Sequence, residues 1–241
     1  MRNPLYIAAL AMMVLASASV AAQEQSLDER MALAAQSIKI DAIATLPIRS
    51  LKAVESEGKI VFMSENGRFA LVGQMYDIWQ KKPLDTIAQI RDAGSKLSFK
   101  GMGLDIDELN TLSMGSGKEQ VVAFVDPNCP ICHTLMKDAK GLTEQYTFKF
   151  VVVPALGKDS VAPTKAVACA KDRAEALTAF MGNTIKSLPT QEPCDMKRYS
   201  TTLIAADLMG INGVPLVVAP NGDISRGRPS NLSSWLKEHT L

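Results

Sequence analysis

The first 128 residues of this 241-residue chain contain no cysteine; all four, Cys129, Cys132, Cys169 and Cys194, come later. A disulfide internal to the N-terminal half is therefore excluded. Histidine is scarce too, with His133 and His239 alone. A zinc site takes about four ligands. Only His133 lies beside a cysteine pair, so a zinc centre here would have to recruit Cys169 or Cys194. Net charge is also missing: 26 Lys and Arg stand against 25 Asp and Glu, and the two balance once Arg2 is set aside. Such balance gives no reason to expect nucleic acid or an anionic membrane as a partner. There is no internal repeat and no low-complexity tract. The apolar run Leu5 to Leu15 is too short to span a bilayer comfortably.

Residues 1–22 have the form of a secretory signal. Arg2 is its one charge, the run Leu5 to Leu15 follows, and Val20-Ala21-Ala22 offers small residues for cleavage. An uncleaved N-terminal anchor is the alternative. About 220 residues then remain, enough for one large or two small domains. The spacing of Leu27, Met31, Ala34, Ile38 and Ala42 predicts a helix over 24–45. Strands are expected at Ile60–Met63 and Phe69–Val72, joined by a turn at Glu65-Asn66-Gly67, with a further short strand at 75–79. This cysteine-free β-rich stretch of about sixty residues is marginal alone, and it must pack on the rest of the chain or on a copy of itself. Pro83-Leu84, a helical spacing over Asp85 to Leu97, and breakers at 100–103 and 114–118 make 83–117 a partly helical linker.

Beyond the linker, Val121 to Val125 is expected as a strand, followed directly by Asp126-Pro127-Asn128-Cys129-Pro130-Ile131-Cys132-His133 and a helix. That order puts Cys129 where a helix begins, and unpaired backbone N–H groups and the helix dipole favour negative charge on its sulfur. The thiolate is the species that attacks disulfides. Cys132, one turn on, is placed to close an internal disulfide and release what Cys129 has captured. An inert disulfide or half a zinc site are the alternatives. A charged His133 would favour the Cys129 thiolate further, or its ring simply faces solvent. Asp126 either handles protons near Cys132 or is a turn residue before Pro127.

The remainder alternates in α/β fashion. A strand at Phe148–Val153 leads to a helical stretch over 161–211 that breaks near Leu188-Pro189. A strand at Leu216–Ala219, a turn at 220–223 and a helix over 232–241 follow. A Cys-x-x-Cys after the first strand of such a pattern indicates a thioredoxin-like domain, with the helical stretch inserted between its second and third major strands. In such domains a cis-proline faces the cysteines, and Val214-Pro215 stands at the matching place; a trans proline merely starting a strand is the alternative. The cis-proline would present a backbone edge to substrate and keep a metal from the dithiol. Cys169, in a helical pattern, and Cys194, in a loop, lack the activated-helix signature. They are read as a structural pair, with a second redox relay as the alternative.

These features together resemble the DsbC/DsbG family of periplasmic disulfide isomerases across nearly the whole chain after residue 22. The resemblance rests on Cys129-Pro130-Ile131-Cys132-His133, on Cys169-Ala170-Lys171-Asp172 with Cys194, on Gly213-Val214-Pro215 with Asn221-Gly222, and on Met75-Tyr76-Asp77. It implies an α+β N-terminal dimerisation domain at 23–82, a partly helical linker at 83–117, and an α/β thioredoxin-like catalytic domain with a helical insertion at 118–241. It further implies a V-shaped periplasmic homodimer that binds misfolded or partly unfolded exported proteins in its cleft, kept reduced by a DsbD-type membrane reductase. No organic cofactor or metal is implied, since the dithiol is the redox group. Pro130-Ile131 stands where DsbC has Gly-Tyr, and Val214 where relatives commonly have threonine; both positions tune redox behaviour. Isomerisation or reduction of wrong disulfides is the expected activity. A DsbA-like oxidase and a non-enzymatic dimeric holdase are the alternatives.

Overall fold

The computed structural model describes residues 40–46 and 51–240. Most of the helix expected over 24–45, like the secretory signal, lies outside those residues. Its last residues form a strand instead, β1 (Ala42–Thr45), paired antiparallel with β2 (Leu51–Ser56). Ala44 is buried while Ile43 is exposed, the alternation of a sheet with one wet face. Two β-branched residues in four and the chance to pair outweigh a helical face made largely of alanine. A further antiparallel strand, β3 (Lys59–Ser64), follows β2 through Glu57-Gly58, whose φ values of 50° and 73° suit a two-residue hairpin turn. The sheet ends with β4 (Ala70–Val72), across the turn expected at Glu65-Asn66-Gly67. The short strand expected near Met75 is β5 (Met75–Asp77), paired with β6 (Lys82–Leu84).

Helix α1 (Ile87–Gly94) starts at Thr86, whose side chain accepts the Gln89 N–H while the Gln89 side chain accepts the Thr86 N–H, a reciprocal cap. It buries Ile87 and Ile90 against Ala44, Ala53, Phe62 and Leu84. The helical spacing continues to Leu97 in sequence, but the helix stops at Gly94 because the chain finds other partners. The Leu97 N–H donates to the Gly222 carbonyl, and the Ser95 carbonyl accepts the Ile224 N–H.

The second sheet runs β11-β10-β8-β9-β7. These strands are β7 (Thr111–Met114), β8 (Glu119–Val125), β9 (Tyr146–Val152), β10 (Leu216–Val218) and β11 (Ile224–Arg226). Only β8 and β9 are parallel. Central β8 feeds both faces. Val121, Ala123 and Val125 pack with α2 (Pro130–Lys140), α4 (Arg173–Met181) and α6 (Leu232–Glu238). Val122 and Phe124 pack with Ala205, Ala206 and Met209 at the end of α5 (Lys197–Leu208). The helical stretch between β9 and β10 comprises α3 (Lys158–Ala168), α4 and α5. One correction concerns 83–117: Thr111–Met114, expected in the linker, is a sheet strand paired with β9. Its four residues are too few for periodicity to stand out, and they gain their state from the neighbour. The dithiol thus follows the second strand of its sheet in chain order, not the first.

Candidate active site

Strand β8 ends at Val125 and helix α2 begins at Pro130, so the cysteine motif occupies the strand-to-helix turn. Cys129 is the helix N-cap and Pro130 its first residue, where the missing N–H costs nothing. The Cys132 N–H donates to the Cys129 sulfur at 3.2 Å. A helix-terminal donor aimed at sulfur stabilises negative charge there. Both thiols are free. Cys129 retains 4% exposure and Cys132 none, so Cys129 is the more accessible of the two. Burial, and then the hydrogen bond with Cys129, push the Cys132 thiol far above its ordinary range; the backbone N–H of Asp126 works against this and the Asp126 charge adds to it.

Ile131, between the cysteines, is 55% exposed, and Pro130 is exposed beside it. His133 faces neither solvent alone nor the sulfur: its Nε2–H donates to the Pro127 carbonyl at 2.8 Å, and its ring packs 5.1 Å from Phe180. It therefore ties α2 to the motif's own turn. Asp126 is fully buried. Its Oδ1 accepts the Asn128 N–H at 2.8 Å and the Ser160 hydroxyl at 2.7 Å, and its Oδ2 accepts the Leu156 N–H at 2.9 Å. Sequence reasoning missed Ser160, Leu156 and Asn128. Ser160 lies 34 residues from Asp126, and nothing local distinguishes it from any polar residue in a helix's first turn.

Across from the dithiol, the Val214-Pro215 peptide bond is cis. The Val214 carbonyl lies 3.8 Å from the Cys129 sulfur. Pro215 is buried, and its carbonyl is taken by the Gly227 N–H. The structure thus gathers Asp126, Cys129, Pro130, Ile131, Cys132, His133, Val214 and Pro215 into one region. Cys169 and Cys194 lie elsewhere and are bonded to each other, joining the end of α3 to the loop before α5. The Met196 sulfur lies 3.6 Å from each of them. Glu192-Pro193 beside the bridge is a second cis bond, which no sequence feature had indicated.

Arg173 was also missed. Its guanidinium, in a largely buried setting, donates to the Val167 and Thr111 carbonyls, both at 2.6 Å, and to the Asn110 side chain at 3.3 Å. Burial, with the nearby Arg198 charge, lowers its pKa to about 10. It clamps the edge strand β7 to the inserted helices without a carboxylate partner in that set. Among the described residues, no three His, Cys, Asp or Glu side chains group to hold a metal ion. No described helix is long and apolar enough to cross a membrane.

The disulfide bond isomerase protein N-terminal domain family matches residues 15–87, and the thioredoxin-like domain family matches residues 109–237. The thiol:disulfide interchange protein DsbC of Escherichia coli K12 is 27% identical over 233 residues, covering 94% of this chain and 93% of that protein. DsbC of Haemophilus influenzae is 26% identical over 237 residues, covering 95% and 96%. A crystal structure of a disulfide interchange protein from Neisseria gonorrhoeae superposes with a TM-score of 0.48 at 27% identity, over 57% of this chain and 99% of that one. A thioredoxin-like domain preceded by an isomerase-type N-terminal domain places this chain in the DsbC/DsbG family of thiol-disulfide interchange enzymes.

Proposed function

We propose that the chain is a periplasmic disulfide isomerase that also reduces wrong disulfides in exported proteins. Cys129 attacks a substrate disulfide and one substrate sulfur leaves as a thiol. A mixed disulfide between Cys129 and the substrate remains. A substrate thiol then attacks that bond and shuffles the pairing, or Cys132 attacks it and leaves the substrate reduced. The observation that carries this reading is the Cys129 sulfur itself. It caps a helix, receives the Cys132 N–H, and faces the carbonyl before Pro215. Val214 and Pro215 would guide the substrate backbone, with Pro130, Ile131, His133 and Asp126 tuning the pair, and Cys169–Cys194 would serve structure.

The assembly we infer is a homodimer through an N-terminal module within residues 23–82. Support comes from the edge strand β4, on which Leu71 and Val72 are 63% and 80% exposed, with Phe69 beside them at 63%. An apolar edge of that kind invites pairing with another strand. Residues 1–22 would direct export, and a DsbD-type membrane reductase would return the pair to the dithiol. Quenching intact cells rapidly in acid, then alkylating the free thiols of the denatured protein at neutral pH, tests the direction of the chemistry. The account expects Cys129 and Cys132 mostly reduced. A mostly oxidised pair would make the protein an oxidase.

A further inference from the structure

The segment after α1 is pinned to the β10–β11 turn by two backbone bonds. The Leu97 N–H donates to the Gly222 carbonyl and the Ile224 N–H to the Ser95 carbonyl, both at 2.9 Å. Gly222 permits this approach, since a Cβ on it would stand 2.9 Å from the Leu97 carbonyl oxygen. The turn between β5 and β6 is set as firmly, because one Asp77 carboxylate oxygen accepts the Trp79 and Gln80 N–H groups at 2.9 and 3.0 Å. Between these fixed walls lies a cavity of about 360 Å³. An apolar cavity of about 150 Å³ already admits a benzene-sized group. Met209 and Leu216 line this one and are buried, which makes them its floor; Trp79 and Leu97 form part of the walls. Ile78 and Leu208 line it too, yet they are 74% and 70% exposed, so apolar surface continues out of the mouth.

A preformed cavity ringed by exposed apolar surface marks a binding site. What it takes follows from where it lies. Leu216 is the residue after Pro215. Arg226, also in the lining, pairs with Leu216 across the strands and precedes Gly227, whose N–H donates to the Pro215 carbonyl. On the other side of Pro215, the Val214 carbonyl lies 3.8 Å from the Cys129 sulfur. Two residues of chain, from Val214 to Leu216, span at most about 7 Å. An extended client, rising about 3.3 Å per residue, therefore goes from the sulfur to the cavity in about three residues. We propose that the cavity is a client subsite: it takes a large apolar side chain about three residues from the client cysteine that Cys129 attacks. This rests on the reading of Cys129 as the attacking sulfur. A free small molecule would fill the floor and leave Ile78 and Leu208 wet, whereas a polypeptide held at Cys129 covers both as it passes. The walls are fixed before the client arrives, so little of the contact is lost to ordering the protein. Selection here acts on capture by Cys129 and not on release by Cys132.

The test uses the reduced full chain and two disulfide-linked peptide dimers. They differ only in carrying leucine or serine three residues to either side of the cysteine. Stopped-flow below saturation gives the rate of attack on each, divided by the rate of a free small thiol with the same dimer. The leucine dimer should be attacked about tenfold faster, the scale of burying one such side chain less the cost of ordering it. Leu208→Lys and Ile78→Lys, at exposed positions, hold a solvated charge over the mouth and should each cut that ratio to about twofold or less. Ile204→Lys, one turn back on α5 and outside the lining, should keep it. Trp79 gives a reading without chemistry. In Cys129→Ser with Trp235→Phe it is the one tryptophan left, and the reduced leucine peptide should shift its fluorescence where the serine peptide does not. Equal rates for the two dimers, a ratio that survives both mouth variants, or a ratio lost equally in Ile204→Lys would overturn the proposal. So would a Trp79 shift given by decanoate and not by the leucine peptide, which would make the cavity a small-molecule site. Failure of the underlying reading looks different: the Trp79 shift would persist while Cys132→Ser formed no trapped adduct at Cys129.

Discussion

At the scale of single residues, the two cysteines are made unequal by one helical turn. Cys129 receives a backbone N–H and keeps a sliver of exposure; Cys132 lies beneath it with none. The difference has a consequence for stability. Burial raises the Cys132 pKa in the folded protein above its ordinary value of 9.0. The folded thiol therefore stays protonated where the unfolded one ionises. Its contribution is intact below that value and fades as pH rises above it. With the dithiol reduced, urea unfolding at about pH 8 and about pH 10 should show the native chain losing more stability than Cys132→Ser. Equal losses would mean that Cys132 is not shielded. The motif and its proline partner were legible from sequence because each is a local signature. The hydrogen bonds that hold Asp126 were not, because Ser160 comes from a helix on the far side of β9.

At the scale of elements, the inserted helices are closed at two points. Arg173 holds them to β7, and the Cys169–Cys194 bridge spans 25 residues of them. A bridge of that span stabilises by about 3 kcal/mol on the loop-entropy account. Replacing both cysteines by serine should lower the unfolding free energy by roughly that amount while Cys129 reacts with a disulfide reagent at its usual rate. Loss of Cys129 reactivity along with the bridge would instead give the pair a redox role. Long, strongly patterned elements such as β8, α2 and β9 could be traced in the sequence to within a few residues. Short strands could not: β1, β7 and β11 have too few residues for period-2 alternation, and pairing decides them. Ala42–Thr45 reads as helix in isolation and becomes strand beside Leu51–Ser56.

At the scale of the whole molecule, the proposed function gives assembly to the N-terminal half and chemistry to the C-terminal one. Because β7 completes the second sheet, the catalytic half must begin before Thr111. A chain beginning at Leu104 should be folded and monomeric in sedimentation, reduce simple disulfides, and lose most isomerase activity. A chain beginning at Gly117 would bare the β9 edge and should aggregate. A dimeric Leu104 chain would remove the N-terminal half from the assembly. The central claim, that Cys129 is the attacking sulfur of a thiol-disulfide interchange enzyme, meets its most direct test in one trapping experiment. Cys132→Ser, lacking the internal escape route, is mixed with a scrambled multi-disulfide protein, quenched in acid, and mapped by mass. The account predicts a substrate-bound adduct at Cys129 that accumulates with time and is absent from Cys129→Ser. An adduct missing from Cys132→Ser, or mapped to Cys169 or Cys194, would contradict it.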